Sequence, residues 1–128
     1  MEVVRFTPHA EVAADASVRY YFAPSTSSGK LKLLRCVLAP AATSSTNASN
    51  YADITLKKGS TALCTVRSTN SSTGSALTQG TPEALSITAT GEDLESTFTS
   101  PHYLLIDATP GTGVAVSLDI VAEYEVIR

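Results

Sequence analysis

Two histidines, two cysteines and one run of carboxylates are the side chains here whose chemistry would suit catalysis or metal binding. His9 and His102 stand far apart, and neither has a second His, a Cys or a carboxylate at the spacing of a metal motif. A two-His site completed by distant carboxylates is the sharper alternative; the plainer reading puts His9 in a loop and His102 at the start of a strand. Cys36 and Cys64 both fall on apolar faces of the local alternation. Across neighbouring strands they would form a disulfide only if their Cα atoms came close. In a cytosolic chain two buried thiols are the expectation. A nucleophilic cysteine needs a base and an electropositive setting, and neither stands nearby in the sequence. Glu92, Asp93 and Glu95 lack the D-x-D-x-D-G pattern of a calcium loop. They fit a short helical turn over "TGEDLES", capped by Thr90, whose dipole favours negative side chains; a weak Ca²⁺ site is the alternative. No G-x-S-x-G and no Gly-rich phosphate loop occurs, and "GTG" at 111–113 reads as a turn. The expectation is a non-enzymatic protein with no catalytic, metal or cofactor-binding residues and no cofactor.

The totals point the same way. The chain has 128 residues, which suits one domain with a real core. Charged residues are only 16% of it and the net charge is −3, a field too weak to grip nucleic acid or an anionic membrane. Lys30, Lys32, Arg35, Lys57, Lys58 and Arg67 lie on or beside expected strands without a reason to converge. Tyr20, Tyr21, Phe22, Tyr51 and Tyr103 would offer sugar-stacking rings, but there is no Trp, and buried tyrosine is the commoner outcome in a sandwich. Neither nucleic acid nor membrane is expected as a partner. Residues 1–6 lack the apolar core of a signal peptide, so the chain reads as made in the cytosol. The sequons at Asn47 and Asn70 are what chance gives where Ser and Thr fill about a quarter of the positions.

The elements that must position these residues are strands. In "GVAVSLDIVAEYEVI" (113–127), Val114, Val116, Leu118, Ile120, Ala122, Tyr124 and Val126 share one face. Ala115, Ser117, Asp119, Glu123 and Glu125 share the other. A period of two predicts a strand buried on one side, long enough to need a bulge or bend. "SVRYYFAP" (17–24) predicts another strand. "KLKLLRCVLAP" (30–40) predicts one that slips register at Leu33–Leu34, after which Leu34, Cys36 and Leu38 share a face. "YADITLKKGSTALCTVRS" (51–68) predicts a hairpin of strands 53–57 and 61–67 turning at Lys58–Gly59. "EALSITAT" and "HYLLIDAT" add two more, and "PHAEVAADAS" reads as a second short turn or an extended arm. The Ser/Thr/Gly stretches "PSTSSG", "ATSSTNASN" and "STNSSTGSALTQGTP" read as surface loops. Seven or eight strands with at most two short helical turns predict an all-β fold. It would be a single antiparallel β-sandwich of jelly-roll type, with residues 1–16 as an N-terminal arm or first edge strand and 17–128 as the sandwich.

Between Asn50 and Val126, "NYADITLKKGSTAL", "SALTQGTPEALSIT", "EDLEST" and "LLIDATPGTGVAVSLDIVAEYEV" resemble small β-rich structural proteins of tailed phages. The resemblance lies in composition and strand order. It implies a virion surface component, either a head decoration (cement) protein or a head-fibre or tail-associated sandwich. A cement protein implies the major capsid protein as partner, the capsid surface as location after synthesis in the host cytoplasm, and a homotrimer at a three-fold axis. A fibre or tail module would instead bind host glycans, and a cupin-like metalloenzyme in the same fold is opposed by the lack of closely spaced histidines. "EVVRF" precedes the resembling part and is apolar enough to add a strand to another chain, with Val3, Val4 and Phe6 filling pockets there. Otherwise it is the first strand of its own sandwich.

Overall fold

The computed structural model describes residues 2–22, 30–88 and 102–127. They form ten β-strands and no helix: β1 Glu2–Phe6, β2 His9–Val12, β3 Ser17–Phe22, β4 Lys30–Pro40, β5 Asp53–Lys58, β6 Thr61–Ala62, β7 Arg67–Ser68, β8 Glu83–Ala84, β9 His102–Asp107 and β10 Val116–Ile127. All pairings are antiparallel and fall into two sheets. The first has the order β1-β10-β4-β8, with β2 beside β1 on the same edge of β10; the second has the order β3-β9-β5-β6, with β7 also on β5. The fold is therefore an antiparallel β-sandwich. The turn expected at Thr90–Ser96 and the loop "PSTSSG" lie outside the described residues.

The alternation that predicted β10 decides the core. Val114, Val116, Leu118, Ile120, Ala122, Tyr124 and Val126 are all buried, and Leu118, Ile120 and Ala122 have no exposed surface. Facing them from the second sheet are Ile54, Leu56, Leu104 and Ile106, also fully buried. Burying these side chains is worth about 1.5–3 kcal/mol each before the entropy of ordering is counted. β10 lies inside its sheet, so its inward face is enclosed along the whole length. A polar contact joins the two sheets through this core: the Tyr124 hydroxyl lies 2.8 Å from Nδ1 of His102, whose ring is buried.

Three local expectations change. The register of β4 against β10 shifts where Glu123 pairs Arg35 and Tyr124 pairs Leu33, so Leu34 is the extra residue of a bulge. The slip at Leu33–Leu34 is there, but Leu33 is the buried residue and Leu34 the half-buried one. The bulge lets Leu33, Cys36 and Leu38 all face inward. The hairpin's return strand is broken into β6 and β7: the Leu63 amide still donates to the Leu56 carbonyl, but Cys64 bridges Ile87 and the Thr65 amide donates to the Ser86 carbonyl, while Leu63 and Cys64 enter the core. "PHAEV" is not a turn. His9–Val12 is a strand, and the chain turns after it at Ala13–Ala16, with Asp15 at φ 64°.

Two of the Ser/Thr-rich segments are fastened rather than loose. Arg67 donates to the carbonyls of Ser68, Ser75 and Ala76 and to both carboxylate oxygens of Glu83, tying residues 68–83 to the end of β5. Asn47 Oδ1 accepts from the amides of Ser49 and Asn50, and Asn50 Oδ1 from the amide of Thr112. Short side-chain acceptors turn these segments, which is why Ser, Thr and Asn crowd them.

Candidate functional site

β1 and β2 are one edge strand with a flaw in it. Glu2 pairs Val126, Phe6 pairs Ala122, His9 pairs Asp119 and Val12 pairs Val116, a single unbroken register along β10. Pro8 falls opposite Ile120, whose amide donates to the Pro8 carbonyl at 2.9 Å. Proline has no N–H to return the bond, so the ladder is interrupted there. This pairing fixes which main-chain groups turn outward. Even-numbered residues of the strand bond β10; the odd-numbered Val3, Arg5, Thr7, His9 and Glu11 present N–H and C=O away from it. At Glu11 both outward groups are taken by one side chain: the amide donates to the Tyr20 hydroxyl at 3.2 Å, and that hydroxyl donates to the Glu11 carbonyl at 3.1 Å. Among the described residues no such partner meets the outward groups of Val3, Arg5 and Thr7.

The side chains singled out in this segment divide between two faces. Val3 is 43% exposed on the outer face. Val4 and Phe6 are half-buried against the core, Phe6 edge-on to Tyr124 with ring centroids 6.1 Å apart. Met1 lies outside the described residues. Residues 2–6 are thus strand β1 of the chain's own first sheet, with Val3 accessible and Val4 and Phe6 partly spent on packing.

On the outer face one row of side chains crosses three strands: Arg5 on β1, Glu123 on β10 and Arg35 on β4. Arg5 Nε donates to Glu123 Oε1 at 2.8 Å, and Arg35 donates through Nε and Nη2 to both oxygens at 2.9 Å. The two guanidinium groups cover the carboxylate, so Glu123 is buried although its strand position faces solvent. Hydrogen bonds from Arg35 first, and then Arg5, hold its pKa below the usual carboxylate value, against the opposing effect of desolvation. A lowered folded pKa stabilises above the ordinary value of 4.5 and loses that contribution as pH falls through the lowered one. The attachment of β1 to β10 should therefore loosen in acid. Amide exchange of Val4 and Phe6, normalised to that of Leu38 in β4, should accelerate below pH 4.5, and Glu123→Gln should show the faster ratio already at pH 7. A pH-independent ratio in the native protein would refute this role.

Further along the same face His9 sits between two carboxylates, Nδ1 2.6 Å from Asp119 and Nε2 3.1 Å from Glu11. Glu11 and then Asp119 raise its pKa above 6.5, and the whole cluster is exposed. Next to it a shallow groove of about 530 Å³ is lined by Glu11, Val12, Ala13, Ala42, Thr43, Ala115, Val116 and Ser117. It is small, mostly apolar and open. Among the described residues no group of three or more His, Cys, Asp or Glu is placed to hold a metal ion. Glu92, Asp93 and Glu95 lie outside those residues.

The remaining candidates are dispersed. His102 opens β9 as expected and is buried on Tyr124, while His9 is on a strand and not in a loop. Lys32 and Arg35 belong to the first sheet and Lys57, Lys58 and Arg67 to the second, so the basic residues do not form one platform. On the second sheet's outer face the exposed Tyr21 ring lies 5.3 Å from Tyr103, and the Arg19 guanidinium 5.0 Å above Tyr103.

Cys36 and Cys64 are free and buried. Burial, with the charge of Cys64 as a smaller cause, pushes the Cys36 thiol up to about 12; burial alone pushes Cys64 up to about 11. Neither is a thiolate near neutral pH, so both are inert in the folded state. Alkylation without reductant should leave the native protein unmodified and label two thiols after unfolding in denaturant. Rapid labelling of the native protein, or none after unfolding, would contradict this.

The sequence offers residues 1–16 as an arm or first edge strand, but not which of its main-chain groups stay open: Tyr20, one of the candidate stacking rings, caps Glu11. The signal for the edge was Pro8 inside an otherwise alternating segment, which marks an edge strand. No protein-family model matches the chain, and no curated protein and no solved structure shows significant similarity to it.

Proposed function

We propose that this chain is a non-enzymatic virion protein of a tailed phage that decorates the capsid, clamping neighbouring major capsid subunits as a trimer. The observation that supports this reading best is a two-sheet sandwich with β1 at its edge, whose outward main-chain groups meet no partner among the described residues and beside which Val3 is exposed. The likeness of the segments between Asn50 and Val126 to phage structural proteins supports it independently. Counting β1 with β2 and β6 with β7 as single interrupted strands leaves eight, ordered 1-8-3-6 and 2-7-4-5 in the two sheets. We read that interleaving as a jelly roll, an architecture that serves capsid proteins, lectins and cupins alike. The choice among those functions has to come from the site.

The test is direct. Purified particles of the source virus should contain the chain at high copy number, and the isolated protein should rebind particles stripped of it. Absence from particles, or no rebinding, would overturn the proposal. Deleting residues 2–7 would uncover Tyr124 and Val126, so the contact through Val3, Val4 and Phe6 is better tested with substitutions that leave β1 in place. A second reading, a fibre or tail module that binds host glycans, is favoured by the Arg19–Tyr21–Tyr103 group on the opposite sheet. Glycan binding lost in Tyr21→Ala, with particle binding absent, would select it.

A further inference from the structure

We propose that the outward edge of β1 is a strand-addition site that takes an extended segment of a protein partner carrying a carboxylate opposite Arg5. Edge strands are normally blunted by shortness, proline, lysine, bulges or a cover. At the far edge of the first sheet β8 is two residues long, and β6 and β7 break up the far edge of the second. Along β2 the Tyr20 hydroxyl occupies the outward groups of Glu11, and β3 runs beside this stretch. β1 has five residues, no proline, no lysine and an unshifted register, and no cover among the described residues. Val3, Arg5 and Thr7 therefore offer three successive outward N–H and C=O pairs over roughly 14 Å, the reach of a short added strand.

Arg5 states what the added strand should carry. Its Nε is engaged by Glu123, while its Nη atoms have no partner among the described residues, and the side chain is 61% exposed. A carboxylate on the outer face of an incoming strand would complete that fork. The neighbouring outer residue is the exposed Val3; the inner side offers the half-buried Val4 and Phe6. The partner segment is thus extended, acidic on one face and apolar on the other. A second copy of β1 fits less well. Antiparallel pairing that keeps the faces aligned sets Arg5 against Arg5 or against Val3, because Glu2 lies on the opposite face. The inference deepens the decoration reading, in which a capsid protein supplies the segment, but it is tested on the isolated protein.

The probe is the peptide acetyl-Thr-Val-Glu-Val-Thr-amide, with a second peptide in which Lys replaces Glu. In ¹⁵N-labelled protein the Glu peptide at millimolar concentration should shift the amides of Val3, Arg5 and Thr7 and slow their exchange. It should bind better than the Lys peptide by about fivefold. Val3→Pro removes an outward N–H and no bond to β10, so the variant should keep its fold and bind the Glu peptide about fivefold more weakly. If that variant fails to fold, Arg5→Gln should still remove the preference for Glu over Lys. Unperturbed β1 amides, equal binding of both peptides, or β1 amides already protected by self-association would overturn the proposal. Peptide addition at β1 without particle binding would sink the decoration reading and leave the edge site standing. Particle binding without peptide addition would do the reverse.

Discussion

Leu118→Ala should lower the free energy of unfolding by about 2–5 kcal/mol, whereas Asp119→Ala, one residue on, should change it by no more than about 0.5 kcal/mol. Leu118 has no exposed surface and lies on β10 between Ala10 of β2 and Pro40 of β4. Its position in an interior strand leaves the surrounding backbone little freedom to collapse into the cavity. Asp119 points the other way, and its carboxylate is 61% exposed beside His9. An exposed pair of this kind contributes little, since water screens it and holding two side chains together costs entropy. Denaturant melts of the two variants measure the contrast. Equal, small losses would mean that the strand's faces had been assigned the wrong way round.

That contrast was legible in the sequence because the period of β10 survives over its whole length. Every residue assigned to the apolar face is buried. Less legible was Glu123, which the same period placed among wetted residues. It is covered by Arg5 from 118 positions away and Arg35 from 88, and no local pattern reports partners that distant. The bulge at Leu34 showed itself as two adjacent leucines where alternation demanded one, but which of them faces inward depends on the pairing with Tyr124. The break between β6 and β7 was hidden for a related reason. "TALCTVRS" alternates well enough for a strand, yet Leu63 and Cys64 are both drawn into the core. Side-chain period is read along one strand; packing is decided across two sheets. The edge at β1 was half legible: its apolar character was plain, but that Tyr20 covers Glu11, while among the described residues nothing similar covers Val3 or Arg5, is a matter of how β3 folds back.

Gly113→Ala should cost about 3–5 kcal/mol, and Gly80→Ala only about 1–2 kcal/mol, although both glycines have positive φ. Gly113 is at φ 68° and Gly80 at φ 76°, conformations in which a Cβ crowds the following carbonyl. Around Gly80 a Cβ would meet nothing within 4 Å, so its substitution measures the conformational cost alone. At Gly113 the added carbon would overlap the carbonyl oxygen of Ala108 and lie 2.9 Å from the Asp15 amide. Those two groups bond each other at 2.8 Å, and the next bond, from the Ala108 amide to the Ala16 carbonyl, is also 2.8 Å. Pushing the Ala108 carbonyl aside therefore loosens the turn that carries the chain from β2 in the first sheet to β3 in the second. Both atoms in the way are backbone, so no side-chain rotation relieves the overlap. Thermal melts of the two variants test the difference, and amide exchange locates it: Asp15 should lose protection in Gly113→Ala and keep it in Gly80→Ala. Equal losses of stability would show that the close approach at Ala108 relaxes freely and that the turn does not depend on Gly113.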